Sequence, residues 1–123
     1  MLLGFLTGGQ LGDLKNTLKW AQEHEFDSIS ISTSPSSKFF EIEKILANPT
    51  EYRKIIADSG IIISAIGFYG NPIHPEESIR KTHQEYFMKL IDAAYKLEIK
   101  VVTGWIGKIP EASIEENLSA YAR

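Results

Sequence analysis

Apolar positions fall into two rhythms along the chain, short solid runs and stripes at helical spacing, and their alternation predicts strands and helices in turn. Leu2 to Leu6 is the first run. It is bounded by Thr7-Gly8-Gly9 and is predicted as a strand buried on both faces. Leu11, Leu14, Leu18 and Ala21 follow at three- and four-residue spacing, with Lys15, Asn16, Lys19 and Gln22 between them. That pattern predicts an amphipathic helix of about four turns. Asp27-Ser28-Ile29-Ser30-Ile31-Ser32 alternates with period two and reads as a second strand. After the loop Ser34-Pro35-Ser36-Ser37, a short helix is predicted over Phe39 to Ala47. Asn48 then suits an N-cap and Pro49 the first helical position of another helix, with Tyr52, Ile55 and Ile56 on its apolar side and Gly60 closing it.

The stretch from Ser59 to Glu77 organises the rest. Ile61 to Ile66 is a solid apolar run, ended by Gly67, and reads as a buried strand. Phe68-Tyr69-Gly70-Asn71-Pro72-Ile73-His74 is a loop, and the longest helix is predicted from Pro75 to about Leu97. Glu76 and Glu77 suit its first turn, and Phe87, Leu90, Ile91, Ala94 and Leu97 form the stripe expected to be buried. Val101 to Trp105 is a fourth strand. After Gly107-Lys108-Ile109-Pro110 a last helix begins near Ser113, where Ser113 and Glu116 have capping-box spacing. Strands alternating with helices predict an α/β fold with a parallel sheet and right-handed crossovers. The spacing suits half of a (β/α)8 barrel or a small doubly wound sheet. In either, ligands bind beyond the carboxyl ends of the strands, where the loop at 68–74 lies.

Composition narrows the partners. The chain has 123 residues and a formal net charge of −3. With no basic stripe, a nucleic-acid partner gains no electrostatic support. No cysteine is present, which excludes disulfides, thiolate metal sites and cysteine nucleophiles and fits a reducing cytoplasm. The apolar start, Met1 to Leu6, is too short for a signal segment, and no stretch approaches the roughly 20 apolar residues of a membrane span.

The segment Gly67-Phe68-Tyr69-Gly70-Asn71-Pro72-Ile73-His74-Pro75 resembles the third strand and loop of the sugar phosphate isomerase/epimerases of the xylose isomerase-like TIM-barrel superfamily. Ile91-Asp92-Ala93-Ala94 followed by Val101-Val102-Thr103-Gly104-Trp105-Ile106-Gly107 resembles its fourth βα unit, and Asp27-Ser28-Ile29-Ser30-Ile31 its second strand. The resemblance implies that residues 1–123 are one partial domain, the first half of a TIM barrel. It implies aldose–ketose isomerisation or epimerisation of a sugar or sugar phosphate in the whole family. It also implies a divalent metal, Mn, Mg or Zn, held at the ends of later strands by Glu, Asp, His and Glu. On that reading this chain holds no cofactor, no catalytic residue and no metal ligand, and by itself is inactive. Two features depart from the family. Glu25 and Glu98 stand where a helix-ending glycine is common, so those turns are expected to differ, since a left-handed non-glycine residue costs roughly 1 kcal/mol. The second strand ends in Ser30-Ile31-Ser32, where many members carry an acid.

Five residues are candidates for substrate binding. His74 precedes the long helix and suits a sugar hydroxyl or phosphate, or a metal as in the related endonuclease branch, or, as a plain alternative, an N-capping or loop role. Trp105 and Phe5 suit an apolar wall against a sugar face, or core packing. Tyr69 brings a hydroxyl to the third loop, and Lys108 suits a phosphate or plain solvent. His83 reads as a packing residue and His24 as a helix-end residue. The glutamates read as helix surface. Gly8-Gly9 is a turn and not a phosphate cradle. Two other functions compete: a non-catalytic half-barrel binding or assembly module, and a metal-dependent DNA-repair (AP) endonuclease of the same superfamily, which needs histidines from the third and fourth strands and a basic groove. A half barrel has two sheet edges and a bare inner face, so the expectation is a homo-oligomer or pairing through those edges, strands curled into an open sheet, or a piece of a longer protein.

Overall fold

The computed structural model describes residues 1–122. Its elements run β1 (Gly4–Thr7), α1 (Leu14–Glu23), β2 (Ser28–Thr33), α2 (Ile42–Ala47), α3 (Pro49–Ser59), β3 (Ile62–Phe68), α4 (Glu77–Lys96), β4 (Val102–Gly104) and α5 (Ile114–Tyr121). All strand pairs are parallel, and the sheet order is the chain order, β1-β2-β3-β4. That order separates the two architectures the spacing allowed. A doubly wound sheet reverses its order at a switch point, whereas a barrel lays each strand beside the last.

Which face is covered confirms an arc of a barrel. Side chains alternate across a strand. Thr7, Ile29, Ile31, Ile63, Ile66 and Phe68 are buried and share one face with Leu14, Leu18, Phe40, Ile45 and Leu90 of the core. The alternate positions, Leu6, Ser28, Ser30, Ser32, Ile62 and Thr103, face the other way and are half-buried or exposed. So the helices form one layer on one side, and the opposite face is bare. β2 and β3 slip register between Ile29 and Ser30, leaving Ser64 as the extra residue, whose hydroxyl donates to Ile29 O at 3.1 Å. Such a bulge bends a sheet.

Several boundaries differ from the sequence expectation for local reasons. β1 is not buried on both faces: it is an edge strand, and Leu6, on the bare side, is 62% exposed. α1 starts at Leu14, because Asp13 Oδ1 accepts the Asn16 N–H at 2.8 Å and ends the loop there. α2 starts at Ile42 and not at Phe39. Ser37 Oγ accepts the Phe40 N–H at 3.1 Å, and both phenylalanines enter the core from a loop. Asn48 sits at the N-cap of α3, but its side chain donates to Glu51 Oε2 at 2.6 Å and makes no cap bond. Gly60 closes α3 in the left-handed conformation, φ 69°. Glu76 is the N-cap of α4, which leaves Glu77 alone in its first turn. The capping box of Ser113 and Glu116 is formed, and its bonds from Ser113 hold the Glu116 carboxyl below its ordinary range.

Glu25 and Glu98 do adopt the left-handed turn, at φ 58° and 61°. The turns keep their shape. Phe26 N–H reaches Ala21 O at 3.0 Å and Ile99 N–H reaches Ala94 O at 2.9 Å, and the buried Ile99 and partly buried Phe26 hold the reversal against the core. Glu111, φ 66°, is a third such residue.

The expected stripe of α4 holds at Leu90, Ala94 and Leu97, and differs at Phe87 and Ile91, in whose place Tyr86 and Ala93 are buried. Tyr86, Leu90, Ala93, Ala94 and Leu97 are buried, Phe87 is only partly so, and Ile91 is 43% exposed. Tyr86 decides which side is buried: its hydroxyl lies 2.9 Å from Thr33 Oγ1, and its ring meets Phe68 edge-on at 4.9 Å. Burial pushes the Tyr86 phenol above its ordinary value, with the Thr33 bond opposing. A raised folded value means that this contribution to stability is complete below the unfolded phenol value near 10 and is lost as pH climbs through the folded one. Tyr86→Phe is expected to cost about 1–2 kcal/mol at neutral pH, by orphaning the Thr33 hydroxyl, and to flatten the alkaline loss. Urea unfolding of both proteins at pH 7 and above pH 10 checks this. An unchanged alkaline slope would remove Tyr86 as its cause.

Candidate functional site

At the carboxyl end of β3 the chain narrows to Gly67, whose missing Cβ points to the bare face. A Cβ there would meet Thr103 Oγ1 at 2.5 Å and the Tyr69 hydroxyl at 2.7 Å. The backbone therefore lies directly beneath that pair, which is joined at 3.1 Å. The Trp105 ring stands 5.5 Å from the Tyr69 ring at 55°. Trp105 is 68% exposed. The result is a ledge on the bare face at the carboxyl end of the sheet, with two aromatic rings above two hydroxyls. The face running up to it from β2 and β3 carries Ser28, Ser30, Ser32 and Ser64, with no charged side chain on those strands. Aromatic faces accept the C–H side of a ring, and hydroxyls both donate and accept, so the surface can bind and orient a neutral polyol. The ledge holds no carboxylate pair, and so no acid–base couple.

Asn71 fixes the ledge in place. Its side-chain amide donates to Lys108 O at 2.5 Å, while its Oδ1 accepts the N–H groups of Lys108 at 3.2 Å and Ile73 at 3.1 Å. His83 Nδ1 accepts the Asn71 N–H at 3.0 Å. One side chain thus ties the loop after β3 to the loop after β4. Gly107 makes room for it at φ 87°.

The five candidates divide. Tyr69 and Trp105 are brought together. Lys108 is anchored through its backbone, with its side chain in solvent. His74 is half-buried in the loop before α4: its Nδ1 accepts the N–H of the N-cap residue Glu76 at 3.1 Å and its carbonyl accepts from Arg80 at 2.7 Å. Phe5 takes the packing position given as its alternative. Its position on β1 faces the helix layer, where its ring packs against Phe26 at 4.7 Å and Trp20 at 5.5 Å. It also lies on the strand farthest from β4. His83 packs edge-on against Phe68 as expected, and His24 lies at the end of α1, stacked on Trp20.

Sequence reasoning missed Thr103 and Asn71. The signal for Thr103 was its place two residues before Trp105, on the same face. Asn71 carried none, because its partners belong to a separate loop. Also unforeseen is an open hollow of about 670 Å³ past β1 and β2, lined by Gly8, Gly9, Ser32, Ser34 and Lys38 among others. A smaller crevice of about 150 Å³ lies between Phe68, His83, Phe87, Trp105 and Tyr121. Among the described residues, no group of three or more His, Asp or Glu side chains stands where it could hold a metal ion. The described residues alone therefore do not fit a divalent ion, which the resemblance assigns to later strands. Nor is any helix among them long and apolar enough to cross a membrane.

A family model described as xylose isomerase-like TIM barrel matches residues 18–123. A comparison with curated proteins finds no match.

Proposed function

The chain belongs to the xylose isomerase-like TIM barrel family, and from that premise we propose that it forms one wall of a sugar-binding mouth. The substrate class is a sugar or sugar phosphate undergoing isomerisation or epimerisation, and the reacting groups come from strands beyond these four. The observation that supports this reading is the Tyr69–Thr103–Trp105 ledge, an exposed aromatic platform beside paired hydroxyls at the carboxyl end of a parallel sheet. In this role Trp105 stacks on the apolar face of the sugar, Tyr69 and Thr103 bind its hydroxyls, and Asn71 positions both loops. Lys108 lies close enough in sequence to Trp105 to meet a phosphate at the rim. On this reading the chain alone binds without turning over, and its lack of cysteine is compatible with a reducing cytoplasm.

Tryptophan emission tests the binding. The chain has two tryptophans, and Trp20→Phe leaves Trp105 as the reporter. A panel of aldoses, ketoses and their phosphates is expected to shift or quench that emission, with a Kd of about 1 mM, worth about −4 kcal/mol. Tyr69→Ala should weaken it several-fold. Emission indifferent to every sugar would defeat the reading. Ketose epimerisation by the chain alone with added Mn²⁺ would overturn the part that calls it inactive.

A further inference from the structure

The ledge continues across the sheet into the hollow past β1 and β2, and we propose that this hollow holds the phosphate of a phosphorylated ligand. Lys38 is its counter-ion, and the Gly9 N–H, Ser32 and Ser34 are its donors. That the rest of the ligand is a sugar lying on the ledge rests on the reading above; the anion site itself does not.

Register joins the two places. Ser32, Gly67 and Thr103 lie level on β2, β3 and β4. Thr7 is level with Ile31, which brings Gly8 beside Ser32. By alternation all four belong to the face away from the helices. A Cβ at Gly8 would lie 3.4 Å from Ser32 O and 3.9 Å from Ser32 Cβ. The chain therefore passes close beside Ser32, and no side chain at Gly8 covers the serine hydroxyl. Adjacent strands stand about 4.8 Å apart. Ser32 is thus about 5 Å from Gly67, over which the Tyr69 hydroxyl sits, and about 10 Å from Thr103. That span suits a sugar ring on Trp105 with its ester phosphate beyond Ser32.

Packing between the two loops fixes the walls of the hollow. Gly9 has φ 105°, and a Cβ there would meet Phe39 Cβ at 2.7 Å. Phe39 is itself buried. The loop after β1 therefore leans on the loop after β2 with no room for a side chain between them, and the core holds the gap open.

The donors are uncommitted. Among the described residues, the Gly9 N–H and the Ser32 hydroxyl take no partner from the protein, and the Ser34 hydroxyl has only Ser36 Oγ at 3.4 Å. The Gly8 N–H is taken by Gln10 Oε1 at 2.8 Å, so the two glycines are no cradle by themselves. Among the described residues Lys38 forms no ion pair, whereas the nearby Glu41 and Glu43 are paired with Lys44 at 2.7 Å and Lys89 at 2.6 Å. Asp13 also lines the hollow. Its Oδ1 accepts the Asn16 N–H at 2.8 Å at the start of α1, and its charge directs a phosphate toward the Lys38 side. An ammonium among free N–H and O–H donors binds phosphate oxygens through charge-assisted hydrogen bonds. Lys108 extends its side chain into solvent, with only its backbone held by Asn71. Of the two lysines, Lys38 is the one that shares a hollow with free donors.

Inorganic phosphate, titrated into the chain at fixed ionic strength and followed by amide NMR, tests the site. The Gly9 and Ser34 amides are expected to shift and saturate, with a Kd of about 1–10 mM. Lys38→Ala should raise that Kd at least about tenfold, and Ser32→Ala several-fold, while Lys108→Ala leaves it unchanged. Neither Lys38 nor Ser32 is a core residue, so far-UV circular dichroism should match the parent in both variants. No saturable shift at Gly9 would overturn the proposal, as would a shift that Lys108→Ala abolishes and Lys38→Ala spares. Fructose against its phosphate monoester then separates the anion site from the sugar reading. The phosphate ester is expected to move both the Gly9 amide and the Trp105 indole N–H, and fructose the indole alone. Phosphate bound at Gly9, with an indole indifferent to every sugar, would uphold the anion site and sink the sugar reading.

Discussion

Phe40→Ala is expected to remove a large share of the chain's stability, about 3–5 kcal/mol. Phe40 is 1% exposed and is among the largest side chains of the core. Removing a buried phenylalanine ring costs about 3–5 kcal/mol, because the surroundings collapse only partly into the space. A domain of this size has about 5–15 kcal/mol in all. Phe40 also enters the core from a loop, where few local bonds beyond the Ser37 contact hold the backbone without the ring. Far-UV circular dichroism in increasing urea measures the effect. The midpoint is expected to fall by more than about 1 M, at a slope of about 1–3 kcal/mol per M. Lys54→Ala, removing an exposed i,i+4 ion pair with Asp58, is the control and should move it little. A Phe40→Ala midpoint matching the control would contradict the core described here.

Gly107→Ala is expected to cost about 2–4 kcal/mol and to disturb the ledge as well. Two effects add. Its φ of 87° lies where a Cβ strains the backbone, at a cost of about 1–3 kcal/mol. The new Cβ would also collide with Asn71 Oδ1 and press on Pro72. Asn71 must then withdraw from Lys108, and the loop carrying Trp105 loses its tie to the loop carrying Tyr69. The check is a double-mutant cycle with Asn71→Ala, read by urea unfolding and by Trp105 emission. If the two sites act through one contact, the double variant costs less than the sum of the singles. Additive losses, with Trp105 emission unmoved in both, would show that Asn71 does not position the ledge.

These two residues illustrate what was legible. The helix-and-strand order could be read because each element carries its own periodicity. The Ser113–Glu116 cap and the Gly60 stop could be read because both are local devices. Phe39 and Phe40 were placed in a helix because apolar spacing cannot show that Ser37 holds the backbone in a loop. The stripe of α4 is legible at Leu90, Ala94 and Leu97 but not at its flank, since Phe87 and Ile91 are as apolar as Ala93 and only the bond from Tyr86 to the distant Thr33 decides which side is buried. Of the ledge, Tyr69 and Trp105 were visible as polar or aromatic groups past strand ends. Thr103 and Asn71 were not, because each acts through a partner more than thirty positions away.

Alternation along the chain was enough to determine a parallel α/β fold, its element order and the end of the sheet where ligands gather, because those properties follow from side-chain period and crossover sterics alone. Which face of each strand the helices cover, which residues meet across loops, and how Leu6 and Trp105 come to stand on open edges were decided only in three dimensions. Each depends on contacts between distant segments, and no local pattern records a neighbour that the chain reaches only after folding.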